Sequence, residues 1–374
     1  MKRAAKNERG ESRPQRRSAL SRAVFSLFLT FVILSGAALA AFVALSSKLT
    51  APGPLRQART VLIAPGSSSR AIAARLEEQG IIDSGRLLLA AILMDRVLGR
   101  AAPIKAGEYA VASHASIRQV LDILRSGKAI IHKVTIPEGF STIQVIERLR
   151  KQPELQGDIT KIPPEGSLLP ETYVFQRGTT RDEILARMQK AQKELLDELW
   201  PKRAADLPFR TRGEAIILAS IVEKETGVAA ERPRVAAVFI NRLKRHIRLQ
   251  SDPTIIYGIT RGKPLGRPIR KSDIAAKTPW NTYQMEGLPR TAIANPGRAS
   301  IAAVLNPAQT DDIYFVADGT GGHVFAATLE AHNRNVRKWR AMKALEKNAS
   351  DAGPAGGKPN TSRHGKKPHG KTPG

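Results

Sequence analysis

An uncharged apolar stretch at residues 23–47 constrains this chain more than any other feature. About 25 residues of α-helix extend roughly 37 Å, enough to cross the hydrocarbon core of a bilayer, about 30 Å thick, with some tilt. A secretory signal peptide is the alternative, because Ala38 and Ala40 are small residues of the kind found at cleavage sites. The apolar region of a signal peptide is typically only about 7–15 residues long, so the length favours a retained transmembrane helix.

The charge of the chain indicates how this helix is oriented. The formal net charge is +27, and basic residues crowd both residues 1–22 and the end of the chain. The positive-inside rule keeps residues 1–22 in the cytoplasm as a basic tail and places everything after Lys48 on the other side of the membrane. In a Gram-negative cell this side is the periplasm, so we expect no specific nucleic-acid partner despite the positive charge. The chain has no cysteine, which excludes disulfides, thiolate nucleophiles and Cys-ligated zinc.

Breaks in composition divide the rest of the chain. We expect a linker at residues 48–59, where Pro52 and Pro54 lie, and a small mixed region at residues 60–152. A proline-rich break at residues 162–165 separates it from a larger mixed domain, expected at residues 153–345. From residue 346 to 374 Gly, Pro, Lys, Ser and Asn dominate without an apolar pattern, which is typical of a disordered tail. The predicted fold class is α+β after a single transmembrane helix.

The small region contains an internal repeat. Residues 60–76 and 133–149 align without a gap at a constant offset, and both indicate a strand, a Gly turn and a helix capped by serine. The matched positions pair Gly66 with Gly139 and Ser68 with Ser141. Two related strand–turn–helix units are therefore predicted.

A helical pattern at residues 213–226 carries the strongest candidate for catalysis. Leu218, Ile221 and Val222 recur at the spacing of one helix face, and continuing that spacing reaches Glu225. Glu223 is rotated by roughly 200° from Glu225 and leaves that face. A carboxyl in a dry cleft has a raised pKa and stays protonated, as a general acid requires. The alternative is a structural ion pair, which holds many buried glutamates.

Other catalytic motifs are absent from the sequence. It contains no Gly-rich nucleotide-binding loop and no His-Glu-x-x-His motif, so we expect neither a nucleotide cofactor nor a metal. His323 follows two glycines, and we interpret it as a hairpin residue or groove wall rather than as the base of a nucleophile. Side chains that suit sugar binding follow the helix, although amides and carboxylates also form turns. These candidates are Asn241, Gln250, Asp252, Tyr257, Asn281, Tyr283 and Asn295.

Several motifs together resemble the endolytic murein transglycosylase family of bacterial inner membranes. The resemblance extends over residues 60–339 and rests on Ala219-Ser-Ile-Val-Glu-Lys-Glu-Thr226, Val238-Phe-Ile-Asn-Arg-Leu243, Leu249-Gln-Ser-Asp-Pro-Thr254, Ile256-Tyr-Gly258, Asn281-Thr-Tyr283, Gly287-Leu-Pro289, Tyr314-Phe-Val-Ala-Asp318 and Gly322-His323. The small region also resembles LysM peptidoglycan-binding modules, which have a βααβ fold, although it could equally be a stalk. The motif at residues 168–173 departs from the family at Leu169 and Glu171.

The resemblance implies a reaction and a site. The implied reaction is cleavage of the β-1,4 bond between N-acetylmuramic acid and N-acetylglucosamine in nascent glycan strands, leaving a 1,6-anhydro end. The second glutamate of the Glu-Lys-Glu run, Glu225, would act as general acid and then as base. The implied substrate-binding residues are Asn241, Gln250, Asp252, Tyr257, Asn281 and Tyr283. The implied partners are peptidoglycan strands, the inner membrane and peptidoglycan synthases.

The residues alone are also compatible with two other functions. One is a non-catalytic peptidoglycan-binding scaffold of the cell-wall synthesis machinery. The other is a muramidase-type hydrolase that uses Glu225 together with Asp252, because most glycosidases need two carboxylates.

Overall fold

The computed structural model describes residues 16–351, so residues 1–15 and 352–374 of the two predicted tails lie outside the described part. The described residues form two compact units, 16–133 with Val174–Thr179 and Val134–Tyr173 with 180–351. Helices dominate, and the strands form three small two-stranded sheets. The expectation of a mixed α+β chain is confirmed.

The first unit begins with a long helix, α1 (Arg16–Thr50). Its segment Ser21–Thr50 is long and apolar enough to cross a membrane, as the sequence predicted. The elements that follow are β1 (Arg59–Ile63), α2 (Ser69–Glu78), α3 (Gly85–Val97), β2 (Gly107–Val111), α4 (Ile117–Ser126) and β3 (Ile131–Thr135). Strands β1 and β2 pair antiparallel with two helices between them in sequence, so the observed order is βααβ. The last turn of α1 belongs to this unit, because Leu49 is buried in its core.

The second unit contains most of the remaining helices and the C-terminal hairpin. Its elements are α5 (Thr142–Arg150), α6 (Arg181–Leu199), α7 (Arg212–Glu225), α8 (Arg232–Lys244), α9 (Asp252–Thr260), α10 (Lys271–Ala275), α11 (Arg298–Leu305), β5 (Tyr314–Ala317), β6 (His323–Ala326) and α12 (Leu329–Asp351). Strand β4 (Thr172–Gln176) begins in this unit, and its residues from Val174 onward belong to the first. Strand β4 pairs with β3, and β5 pairs antiparallel with β6. Helices α7, α8 and α11 pack together around a core of buried aliphatic side chains and Phe239.

The two strand–turn–helix units predicted from the repeat are present. Gly66 and Gly139 have nearly equal positive φ values, 76° and 75°, which a side chain would strain. After each glycine a serine caps a helix: Ser68 accepts from Ala71 N, and Ser141 accepts from Gln144 N. The same local sequence therefore produces β1–α2 and β3–α5.

Some elements differ from the expectations. Helix α5, which we assigned to region 60–152, belongs to the second unit, because Thr142 at its start hydrogen-bonds Glu165. Helix α9 has no counterpart among the expectations, because its residues lack an apolar period and include Pro253. Helix α12 continues to Asp351, past the expected start of the tail at residue 346. The division into a LysM-like region at residues 60–152 and a catalytic domain at residues 153–345 stays a prediction.

Candidate active site

The candidate site lies at the C-terminal end of α7. Thr211 caps the other end of this helix, where its hydroxyl accepts from Glu214 N at 3.2 Å and its own N donates to Glu214 Oε2 at 2.8 Å. Leu218, Ile221 and Val222 are fully buried in the core of the second unit, as expected from their spacing. Because Glu225 is the last residue of α7 on that face, the packing of the helix fixes where its carboxyl lies.

The Glu225 carboxyl lines a cavity of about 340 Å³ in the second unit. Apolar and polar side chains from helices, loops and the β5 strand enclose the cavity. They are Phe239, Arg242, Leu249, Gln250, Asp252, Tyr283, Phe315 and His332. A half-buried acid that faces an open cavity can meet a ligand, whereas a structural ion pair would hold it in the protein.

The surroundings of Glu225 raise the pKa of its carboxyl to about 7. Burial is the main cause, because it removes the water that stabilises the charged form, and the negative charge of Asp252 acts in the same direction. The hydrogen bond from Ser251 and the positive charges of His323 and Arg242 oppose the shift without cancelling it. The partial negative charge at the end of a helix also disfavours a carboxylate there. Near neutral pH both the acid and its conjugate base are therefore populated.

Ser251 is the direct hydrogen-bond partner of Glu225. Its Oγ donates to Glu225 Oε1 at 2.5 Å, and the serine itself is buried. Two buried threonines hold it in place: Ser251 N donates to Thr282 Oγ1 at 2.9 Å, and Thr254 Oγ1 donates to Ser251 O at 2.6 Å. This network fixes the orientation of the Glu225 carboxyl.

Arg242 provides a buried positive charge in the wall of the cavity. Its Nε donates to Ile313 O at 2.7 Å and its Nη1 donates to Leu249 O at 2.9 Å, so one side chain on α8 joins the segment before β5 to the segment before α9. Burial lowers the pKa of the guanidinium from its ordinary value. Next to it, burial and the charge of Arg242 lower the pKa of His332, whose ring stacks on Tyr314 at 5.0 Å.

Three of the predicted sugar-binding residues lie in the same cavity as Glu225. Gln250 and Asp252 are exposed, and the Tyr283 hydroxyl donates to Asp252 Oδ1 at 2.6 Å. Gln250 has a positive φ of 53°, a strained conformation for a residue with a side chain that often occurs at functional sites. These side chains present hydrogen-bonding groups to whatever occupies the cavity.

The other predicted amides hold the backbone in place. Asn241 Nδ2 donates to Thr310 O at 2.7 Å and to Asp312 O at 3.0 Å. Asn281 is buried and donates to three carbonyls of the chain segment around α10, and the buried Asn295 bonds Leu168 N and Phe140 O. Their hydrogen-bonding groups are occupied by the protein.

Tyr257 lies in a different place from Glu225. Its hydroxyl donates to Glu165 Oε2 at 3.0 Å, and its ring lines a separate cavity of about 300 Å³. Burial is the main cause that raises the pKa of Glu165, while bonds from Thr142 and Tyr257 oppose it. Tyr257 and Glu165 therefore form a second polar cluster.

Two other residues discussed from the sequence have structural partners. Glu223 is held by Arg232 Nη2 at 3.3 Å and Gly297 N at 2.9 Å, so it forms the structural ion pair that was the alternative for Glu225. His323 is the first residue of β6, and its Nδ1 lies 2.8 Å from Glu231 Oε2. Within residues 16–351, no group of three or more His, Asp or Glu side chains is arranged to hold a metal ion.

Sequence reasoning missed several residues of the cavity. Arg242 follows Asn241 in the sequence, and Ser251 lies between Gln250 and Asp252. Both are therefore direct neighbours of residues that the sequence analysis selected. Phe239, Phe315 and His332 are typical core residues by their pattern, and only the tertiary fold brings them to Glu225.

Comparison with known proteins places the chain in a family. The model of the YceG-like family matches residues 61–338. An endolytic murein transglycosylase of Bacillus subtilis (strain 168) is 30% identical over 312 residues, which cover 75% of this chain and 84% of the relative. An endolytic murein transglycosylase of Streptococcus pneumoniae (serotype 2, strain D39) is 29% identical over 332 residues, or 74% of this chain and 57% of the relative.

Among solved structures, a 2.6 Å crystal structure of a YceG-like protein from Listeria monocytogenes is similar. It is 29% identical, with a TM-score of 0.45, over 75% of this chain and 99% of that one. The family match covers both described units and includes Glu225 with its cavity. The chain belongs to the YceG-like family, together with these endolytic murein transglycosylases.

Proposed function

We propose that this chain cleaves the β-1,4 bond between N-acetylmuramic acid and N-acetylglucosamine within peptidoglycan strands, with Glu225 as the acid and then the base. The observation that carries the proposal is a single carboxyl with a pKa of about 7 in an open cavity. Membership in a family that includes endolytic murein transglycosylases supports the substrate class.

The proposed reaction has two proton transfers. Protonated Glu225 gives its proton to the glycosidic oxygen, the bond from that oxygen to C1 of muramic acid breaks, and N-acetylglucosamine leaves with a free 4-hydroxyl. Positive charge develops at C1 in an oxocarbenium-like state. The C6 hydroxyl of the same muramic acid then attacks C1 and gives its proton to the Glu225 carboxylate. The product is a 1,6-anhydro end, the acid is restored, and no water is consumed.

The pKa of Glu225 suits both steps. A pKa near the working pH gives the acid a large protonated fraction and leaves its conjugate base strong enough to accept the second proton. Ser251 can donate to the carboxylate after the first transfer, which stabilises the charge that forms. Gln250, Asp252 and Tyr283 are the proposed substrate-binding groups beside it.

A kinetic comparison of three variants tests the assignment. Glu225→Gln keeps the shape and the Ser251 contact but cannot give a proton, so we expect a rate loss of at least about a thousandfold on purified glycan strands. Glu223→Gln is the matched control two residues away, and its rate should stay within about tenfold of the wild type if it folds. Wild-type rates in Glu225→Gln would contradict the catalytic role and favour the scaffold function.

The position of Asp252 beside Glu225 in the cavity favours a hydrolase as the second candidate function. It is the other carboxylate in the cavity with Glu225, where a second acid could activate water. Asp252→Asn should lower the rate by less than Glu225→Gln if Asp252 only binds substrate and tunes Glu225. An equal loss in both variants would favour the hydrolase.

We also propose that α1 anchors the chain in the inner membrane, with the N-terminus in the cytoplasm and both units outside it. The large apolar side chains of its span, such as Phe25 and Leu27, are exposed in the structure and require an apolar surrounding. Peptidoglycan synthases are candidate partners at this location. Extraction of membranes with carbonate tests the anchor, because a cleaved or peripheral protein would be released.

For the first unit we propose a LysM-like role in holding glycan strands. The support is the βααβ order with β1 and β2 paired. Hydrogen exchange of the full Glu225→Gln chain with glycan strands tests it: protection is expected within residues 59–111. Protection confined to the second unit would favour a stalk.

A further inference from the structure

A cavity in the first unit lies between the end of α1 and the helices α3 and α4. Its volume is about 570 Å³. Four α1 residues form one wall, Phe42, Ser46, Leu49 and Thr50, and three arginines with two aspartates form much of the rest. The cavity therefore combines apolar and hydroxyl side chains of α1 with charged side chains of the rest of the first unit.

The charges in this cavity are not balanced. The buried Asp95 accepts from Arg118 Nη1 at 2.7 Å and also from Arg125 Nη1, so two guanidinium groups share one carboxylate. These bonds hold the pKa of Asp95 below its ordinary value although burial acts in the opposite direction. Arg100 adds a third positive charge, and within residues 16–351 its side chain makes no hydrogen bond or ion pair. Asp122 is the second carboxylate, so three arginines face two acids.

One donor in the cavity also lacks an acceptor. Arg125 Nε is buried and has no hydrogen-bond partner among the described residues. A buried N–H without an acceptor is costly, and a site with excess positive charge and a free donor suits an anion. Arginine donors bind phosphate oxygens with good geometry.

Apolar side chains are exposed on α3 beside the cavity. Leu93 is 62% exposed, Val97 is 79% exposed and Leu98, which lines the cavity, is 46% exposed. Helix α1, whose apolar side chains are also exposed, packs against α3. An exposed apolar patch next to arginines is typical of a surface that contacts a membrane.

The cavity lies at the end of the proposed span. The uncharged run of α1 ends at Ser47, and about 25 residues of helix exceed the hydrocarbon thickness by roughly 7 Å. Phe42, Ser46 and Thr50 therefore fall near the level of the lipid headgroups on the side where α1 emerges. The charged wall of the cavity is then placed where lipid phosphates are.

We propose that this cavity binds the phosphate of an anionic phospholipid headgroup in the outer leaflet, with Leu93 and Val97 against the acyl chains. The inference rests on the proposed membrane anchor. The bound lipid would fix the first unit against the membrane surface and limit the angle at which it leaves the span.

Native mass spectrometry of the full chain in detergent with added phosphatidylglycerol tests the proposal. We expect the wild type to retain one lipid and Arg100→Gln to bind it about tenfold more weakly, because one charge-assisted contact is lost. Arg96→Gln is the matched control, since Arg96 is an exposed arginine of α3 that does not line the cavity, and it should bind like the wild type. Arg125→Lys keeps the charge but removes the free Nε donor, and it should also bind more weakly if its melting temperature shows that it folds.

Native mass spectrometry also distinguishes binding of a phospholipid headgroup from binding of free inorganic phosphate. Equal retention of phosphatidylglycerol by the wild type and Arg100→Gln would overturn the proposal. Binding of inorganic phosphate that depends on Arg100, without selective lipid retention, would also overturn it and assign the site to a soluble anion. Carbonate extraction of the same cells tests the anchor separately: a released chain counts against the anchor, and a membrane-bound chain without lipid selectivity counts against the site.

Discussion

At the scale of single residues, the proposed mechanism depends on the different surroundings of two glutamates on helix α7, Glu223 and Glu225. Glu223 accepts hydrogen bonds from Arg232 and from the backbone N–H of Gly297, whereas Glu225 faces a cavity and, among the described residues, accepts from the Ser251 hydroxyl. The two side chains have the same chemistry, so it is burial in its surroundings that raises the pKa of Glu225. The periodicity of α7 predicted this separation because helix geometry rotates neighbours two positions apart to different faces.

The raised pKa of Glu225 has a consequence for stability. A carboxyl with a folded pKa of about 7 and an ordinary value of 4.5 gives its full contribution to stability below pH 4.5 and loses it as the pH rises through 7. Glu225→Gln, which cannot ionise, should therefore be more stable than the wild type at pH 8, by up to about 3 kcal/mol, and similar to it at pH 4. Thermal melts at both pH values check this. A constant difference across the pH range would contradict the raised pKa.

Ser251 should act through the protonation of Glu225. Its hydrogen bond favours the charged carboxylate, so Ser251→Ala should raise the pKa of Glu225 further. The activity kcat/KM of the wild type should fall above about pH 7, and in Ser251→Ala this fall should move to higher pH by up to about one unit. The rate should also fall by about tenfold, because the carboxylate that forms when Glu225 gives its proton to the glycosidic oxygen is less stable.

Ser167→Ala is the control for this pH profile, since it removes a hydroxyl from an exposed turn. An unchanged profile in Ser251→Ala would leave Ser251 with a structural role only.

At the scale of secondary structure, the helices with a clear apolar period were predictable and the site loops were not. The helical pattern at residues 213–226 corresponds to α7 within one residue at each end, because cap and periodicity agree there. The hydrogen bonds of the buried amide Asn281 to backbone carbonyls could not be predicted, because polar residues in loops serve backbone bonds as readily as ligands. Which of them face the cavity depends on long-range contacts that no local pattern encodes.

Arg242 should be the element that holds the cavity wall together. It joins α8 to the segments before β5 and α9 through three backbone carbonyls, counting Arg248 O at 3.2 Å. Arg242→Lys keeps the charge but cannot make these bonds in one plane, so we expect a loss of about 2–3 kcal/mol in the free energy of unfolding. Arg245→Lys is the control on the same helix end, where the side chain forms a 3.7 Å ion pair with the exposed Asp311. Equal effects of the two substitutions in urea unfolding would contradict this role.

At the scale of the whole molecule, the order of parts along the chain matches a reaction at the cell wall. An apolar helix comes first, a small βααβ unit follows, and the cavity with Glu225 lies in the second unit. Neither the helix nor the lone carboxyl alone indicates a glycan-cleaving enzyme. Membership in the YceG-like family connects the two features. Under the proposed mechanism one acid is enough, because the attacking hydroxyl comes from the substrate.

Cleavage of glycan strands in water enriched in 18O tests this central claim most directly. If Glu225 acts as acid and then as base without water, the new muramic ends should be 1,6-anhydro and carry no 18O. A hydrolase would place one 18O atom at each new reducing end and form no anhydro ring. Anhydro ends free of label, absent in Glu225→Gln, are the result we predict, and labelled reducing ends from the wild type would contradict the mechanism.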